Sequence, residues 1–331
     1  MTVAAALSKQ VDAWPEHPRS APREPGCPGP GVEHAFPSGR AAILACLDLA
    51  AIGPDDVVAT PECVTVCVAN AVRRRARPVP VRAAIAGPAG PAAAIVYEQW
   101  GWPLPEQAEN AIRERLAGVP LIIDRVDSAD FFSAPRLFGT FEVVSLSKVL
   151  GLDAGGLARR CSDGAFVRFA PDLSKRQAPS AGHPRLISHP AVRELYKQSE
   201  FVHPSATHWL GNNCAVAALD SERHARSTAA RLILESPLAG GWPDWMAQAT
   251  ELGAGPVWAP VLRGRDAQVH RRAIAGLEHQ LGVRAAVRMF NWSGNPLSPR
   301  YEPSVALPIH GGLVCPAEAV SVLVRTTLAD R

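Results

Sequence analysis

From position 39 onward the chain alternates between two apolar rhythms. In GRAAILACLDLAAIG the apolar residues Ile43, Leu44, Leu47 and Ala51 recur at helical spacing, and Gly53 follows as a stop. The segments DDVVAT, AAIVYE, PLIID and FEVVSLS are instead short, nearly continuous apolar runs, the pattern of strands covered on both faces. Between them VTVCVANAVRRRA and residues 105 to 117 read as helices, RPVPV as another strand, and AIAGPAGPA as a flexible connection. Strands separated by amphipathic helices predict an α/β domain built on a mostly parallel sheet.

Both flanks of this region have a different texture. Residues 14 to 37 are dense in Pro and Gly, which predicts an extended arm lying over a surface or a partner subunit. A helix is expected over residues 213 to 235. After it GPVWAPVLRG, the helical DAQVHRRAIAGLEHQLG, a strand near VALPIH and the helical PAEAVSVLVRTTLA predict a smaller α+β domain. The expected organisation is an arm over residues 1–37, a large domain over 38–236 and a small C-terminal domain over 237–331.

Composition narrows the function classes. The 331 residues and a hydrophobic share of 47% suit a globular protein with a substantial core. Charge is nearly balanced at +3, and the one basic cluster, Arg73, Arg74, Arg75 and Arg77, suits the last turn of a helix better than a nucleic-acid stripe. The seven cysteines are odd in number, sit mostly in apolar contexts and form no CxxC pair, so they read as reduced residues of a cytoplasmic protein. Cys63 and Cys67 have helical spacing but no neighbouring His or second Cys pair, and no metal site is expected. The N-terminal apolar run is too short for a secretory signal, and no long apolar segment suggests a membrane span.

In parallel sheets, ligand-binding groups gather at the carboxyl ends of strands. Three polar features fall at or near such ends. PSGRAA opens a helix, so the amides around Gly39 and Arg40 form a cradle for an anion. PLIID delivers Asp124 directly from an apolar strand. FEVVSLSK ends in Ser145, Ser147 and Lys148, which places an amine at the end of a strand expected to be buried. An anion cradle, a carboxylate and a buried amine together are what pyridoxal phosphate requires: a phosphate site, a partner for the pyridine nitrogen and a Schiff-base lysine.

The order of these motifs resembles the DegT/DnrJ/EryC1 family, the sugar aminotransferase group of the aspartate aminotransferase fold. The likeness runs from FPSGRAAILACLDLAAIG through PLIIDRVDSAD, EVVSLSKVLGLDAGGLA and WLGNNCAVAAL to ALPIHGGLVCPAEAVSVLV, roughly residue 36 to the end. It implies fold type I, with a large α/β/α sheet domain and a small C-terminal α+β domain. It further implies Lys148 as the Schiff-base lysine, Asp124 as partner of the pyridinium nitrogen, and Ser145 with the Gly39 and Arg40 amides as phosphate ligands. Asp127 matches a position near the cofactor ring or its oxygen. Asn213 matches an asparagine that reaches the phosphate of the neighbouring subunit, which implies a homodimer with shared active sites.

The sequence also departs from the family. Ala215 stands where Gly-x-Asn-x-Arg has its arginine, and Val64 and Thr65 fall near the usual aromatic over the cofactor ring. The cofactor residues are kept, whereas these departures leave retention of the nucleotide-sugar site open. Tyr97, Trp100 and Trp102 lie at a strand end, where they supply either a stacking surface or core. Three readings follow: an aminotransferase joining a small-molecule amino donor to a keto sugar or other keto acceptor in specialised metabolism, a pyridoxal-phosphate lyase, replacement enzyme or racemase, and a non-catalytic partner subunit. Retention of Lys148, Asp124 and Ser145 argues against the third, and the missing arginine raises the second.

Overall fold

Ser38 is the reason the first described helix starts where it does. Its backbone is extended and its hydroxyl accepts a bond from the Ala41 amide at 3.2 Å, capping helix α1 (Gly39–Leu49). The computed structural model describes residues 34–131, 136–150, 155–168, 214–311 and 315–328. Helix α1 buries Ala42, Ile43, Ala45, Cys46 and Leu47. It stops four residues before the expected Gly53, because Ala51 takes the left-handed conformation at φ 56°. The Ala51 and Ile52 amides then close back on the Asp48 and Leu47 carbonyls, each at 3.0 Å, and Ile52 buries its side chain as it does so.

The chain divides into two compact units. The first runs to Tyr97 and takes in Ala111–Val126 and the described residues within Phe131–Ala218. The second takes Glu98–Asn110, Asp127–Asp130 and the described residues from Leu219 onward.

The first unit is built on a six-stranded sheet with strands β1 (Val57–Thr60), β2 (Arg77–Pro80), β3 (Ala93–Tyr97), β4 (Leu121–Asp124), β5 (Phe141–Ser145) and β6 (Gly156–Arg160) in the order β2-β1-β3-β4-β5-β6. The first five are parallel, as the unbroken apolar runs predicted, and β6 pairs antiparallel with β5 at the edge. Helix α1 and helix α2 (Val66–Arg73) cover one face, where Ile43, Leu47, Val68 and Val72 pack with Ile95, Ile122, Phe141, Val143 and Ala158. Helix α3 (Val81–Ala86) occupies the start of the connection read as flexible; Pro80, fixed at φ −52°, leads directly into the Ala-rich VRAAIA. Helix α4 (Glu106–Arg115) lies between β3 and β4 in the chain, and helix α5 (Leu146–Leu150) follows β5 without a linker.

In the second unit, strands β7 (Trp258–Val261), β8 (Ala286–Asn291) and β9 (Tyr301–Pro308) form an antiparallel sheet in the order β7-β9-β8. Helix α6 (Cys214–Leu234) precedes this sheet in the chain, followed by α7 (Asp244–Glu251), α8 (Ala267–Leu281) and α9 (Pro316–Leu328). Its core joins Ala230, Ile233, Val261, Ala273, Leu277, Val305, Leu307, Val322 and Leu323. Trp100 and Trp102 belong to this unit and are buried. Trp100 lies 4.8 Å from Phe290 and 5.9 Å from Trp258, and the Trp102 indole donates to the Trp258 carbonyl at 2.9 Å. These two are core, not a stacking surface. No helix among the described residues is long and apolar enough to cross a membrane.

Candidate active site

Strand alternation decides which residues can share a site. Successive side chains point to opposite faces, so Tyr97 joins Ile95, Asp124 joins Ile122, and Ser145 joins Phe141 and Val143, all on the face covered by α1. Asp124 and Ser145 are both buried, at 3% and 6% exposure, at the carboxyl ends of adjacent parallel strands. The Asp124 carboxylate accepts a bond from the Val126 amide at 3.2 Å, and the Ser145 hydroxyl lies 3.0 Å from that of Ser147.

The amino end of α1 meets these strand ends at very close range. A Cβ on Gly39 would sit 3.0 Å from Val126 Cγ1 and 3.2 Å from Ser145 Cβ, and one on Gly156 would lie 2.6 Å from the Gly39 nitrogen. Backbone bonds fix this approach: Phe36 and Gly156 exchange both of theirs, at 2.9 and 3.0 Å, and Gly155 N donates to Pro37 O at 3.0 Å. Three segments distant in sequence therefore converge where the amino end of α1 meets the Ser145 side chain. The first amides of a helix have no intrahelical acceptor and the dipole adds positive potential, which favours negative charge at such an end. Arg40 is half-buried on the first turn.

Lys148 differs from expectation. It does not end the strand but lies on α5, and it is exposed where a buried amine was predicted. Strand pairing stops at Ser145, after which the Leu146 amide bonds the Gly155 carbonyl at 3.0 Å. The chain then turns into a helix that buries Leu146 and Val149, three positions apart, and leaves Lys148 on the open side. Asp127 is 1% exposed and belongs to the second unit, where its carbonyl accepts from Arg226 at 3.0 Å. Asn213 lies outside the described residues. Val64 is half-buried against the core and Thr65 is exposed, its hydroxyl 3.2 Å from Cys67 Sγ. Among the described residues no group of three His, Cys, Asp or Glu side chains is placed to hold a metal ion.

Two charged clusters escaped the sequence reading. Behind the sheet, Glu142 is wholly buried between Arg125 at 3.2 Å and Arg159 at 2.6 Å. In the second unit Arg226, also wholly buried, bonds Glu222 at 2.6 Å, and Glu222 in turn accepts from the Gly311 amide at 3.0 Å. Burial, with the Arg226 charge adding to it, pushes neighbouring His310 down to about 4, so the ring is neutral. The signal for the first cluster was the glutamate interrupting the apolar strand FEVVS; its partners stand 17 positions away on either side.

Residues 31–173 match a protein family described as "Putative PLP-dependent aminotransferase". No curated protein matches the chain. Among solved structures, the aminotransferase TlmJ from Streptoalloteichus hindustanus is similar with a TM-score of 0.53 and 21% identity, over 90% of this chain and 86% of that one. A DegT DnrJ EryC1 StrS aminotransferase from Brucella abortus aligns with a TM-score of 0.53 and 18% identity, over 88% and 85% of the two chains. NtdA from Bacillus subtilis, solved with bound cofactor PMP, aligns with a TM-score of 0.54 and 12% identity, over 89% and 73%. With its parallel sheet, antiparallel edge strand and smaller α+β unit, the chain has the type I fold of the aminotransferases that its motifs resemble.

Proposed function

We propose that the protein is a pyridoxal-phosphate-dependent aminotransferase of the DegT/DnrJ/EryC1 type, moving an amino group from a small-molecule donor to a keto sugar or another small keto acceptor. The observation that carries this reading is the close approach of the amino end of α1, through Gly39 and Gly156, to buried Ser145 on the same sheet face as buried Asp124. The free amides and dipole of a helix N-terminus suit a phosphate, and a buried carboxylate suits a protonated ring nitrogen. The PMP in the related NtdA structure supports the same cofactor class.

When bound, pyridoxal phosphate supplies an aldehyde that takes up amines and a protonated ring that withdraws electrons from the adjacent carbon. The protein supplies the rest. The Gly39 and Arg40 amides and the Ser145 hydroxyl would hold the phosphate. Asp124 would keep the ring nitrogen protonated through a charge-assisted bond, and Asp127 would be a candidate ligand of the ring or its oxygen. Lys148, exposed on α5, would act as the base that takes the proton from the substrate carbon bearing the amine. Asn213 completes the phosphate site of a partner subunit, so the working form is a homodimer, and the reduced cysteines suit the cytoplasm.

Borohydride reduction of the protein loaded with pyridoxal phosphate, followed by peptide mapping, tests the assignment. The pyridoxyl group is expected on Lys148 and is lost in Lys148→Ala, while a keto acid and an amino donor exchange nitrogen only with the parent protein. A label on Lys175 or Lys197 would remove Lys148 from the site, and no label at all would end the cofactor reading.

A further inference from the structure

Glu142 is an expensive residue to place in a β-strand interior. Its carboxylate has no exposure, Arg125 has 1% and Arg159 6%, and taking such a set out of water is costly before pairing offsets it. An apolar residue would serve the sheet alone. Arg125 follows Asp124 directly, and alternation sends the two side chains to opposite faces, Asp124 toward α1 and Arg125 toward Glu142.

We propose that Glu142 is a positioning residue for Asp124, acting through Arg125, an inference that rests on the cofactor reading above. The coupling runs through the backbone. Beyond the last residue of β4, the Arg125 amide still donates to the Val143 carbonyl at 2.9 Å, and the next amide, that of Val126, holds the Asp124 carboxylate at 3.2 Å. The orientation of the carboxylate is thus set by the two peptide units flanking Arg125. Glu142 fixes the Arg125 guanidinium at 3.2 Å while its other oxygen binds Arg159 across the β5–β6 ladder at 2.6 Å, and the Arg136 amide donates to it as well. Phe131 packs against both guanidinium groups, 4.7 Å from Arg159 and 6.0 Å from Arg125. The cluster clamps the end of β4 from behind, so that Asp124 meets a ring nitrogen in one geometry.

A double-mutant cycle on pyridoxal phosphate affinity tests this, with apoprotein melting measured alongside. Glu142→Gln is expected to weaken binding about tenfold, roughly 1.4 kcal/mol, in the parent, and to have little further effect in Asp124→Asn, because its action passes through that carboxylate. An equal loss in both backgrounds would make the cluster structural and overturn the proposal while leaving the cofactor reading intact. Failure of the parent protein to bind pyridoxal phosphate, or unchanged binding in Asp124→Asn, would overturn that reading and this inference with it. If Glu142→Gln does not fold, Arg125→Lys, which keeps the buried charge and loses the guanidinium fork, takes its place in the same cycle with the same outcomes.

Discussion

Gly156 is the most crowded small residue at the candidate site. An added methyl group would stand 2.6 Å from both the Gly39 nitrogen and the Ser38 carbonyl carbon, which are backbone atoms that cannot rotate away. Gly156→Ala is therefore expected to push α1 off the strand ends, costing about 1–3 kcal/mol of stability and at least about tenfold in pyridoxal phosphate affinity. Gly118 provides the contrast, since its φ of 78° strains any other residue but nothing lies within 4 Å of its would-be Cβ. Gly118→Ala should lower stability by about 1 kcal/mol and leave affinity unchanged. Chemical denaturation and spectrophotometric titration of both variants separate the two effects, and parental affinity in Gly156→Ala would refute the cradle.

At this scale the sequence was readable where chemistry is local. Asp124 and Ser145 stood out because each closes an apolar run, and the Ser38–Gly39 pair because it opens a helix. Lys148 was misjudged, since Val143, Val144 and Leu146 read as one continuous strand although the last of them belongs to a helix that buries only every third residue. The pairing of Glu142 with Arg159 had no local trace, because antiparallel partners meet only once the edge strand exists.

Among the elements, the parallel strands and the longer helices were legible because burial on both faces, or on one stripe, leaves a period in the sequence. Strand β6 was not: its five residues include Arg159 and Arg160, which conceal the apolar pattern that its pairing makes affordable. Helix α6 likewise hides its main task, holding other segments through Glu222 and Arg226. His310 reports on that arrangement. Its folded value of about 4 lies below the usual 6.5, so the unfolded chain binds the extra proton first and stability falls as pH drops from 6.5 toward 4. The loss at the low end is on the order of 2–3 kcal/mol. Replacing the ring by an amide, His310→Gln, should flatten that part of the stability profile measured by urea unfolding at several pH values. A difference between parent and variant that stays constant from pH 7 to pH 4 would show that the ring is freely solvated.

For the whole molecule, the decisive question is whether one chain suffices. If Asn213 serves the partner's phosphate site, a dimer of Lys148→Ala with Asn213→Ala carries one site with both lesions and one with neither. Two inactive preparations mixed under conditions that exchange subunits should then recover a fraction of the parental rate. Confirmed exchange without recovery would assign Asn213 to its own subunit or to no site.

The seam between Phe36 and Gly156 also has a kinetic meaning. Phe36 and Gly156 are separated by more than a hundred residues, and the bonds between them wait for the last strand to be synthesised in the six-stranded sheet. Such a contact is slow to close, because its loop entropy is lost before its bonds form. A nascent chain thus exposes α1 and the parallel strands long before it can grip a phosphate. Once β6 has docked, any ligand that binds the cradle also resists the undocking of that edge, so occupancy and the local opening rate of the sheet are bound to move together.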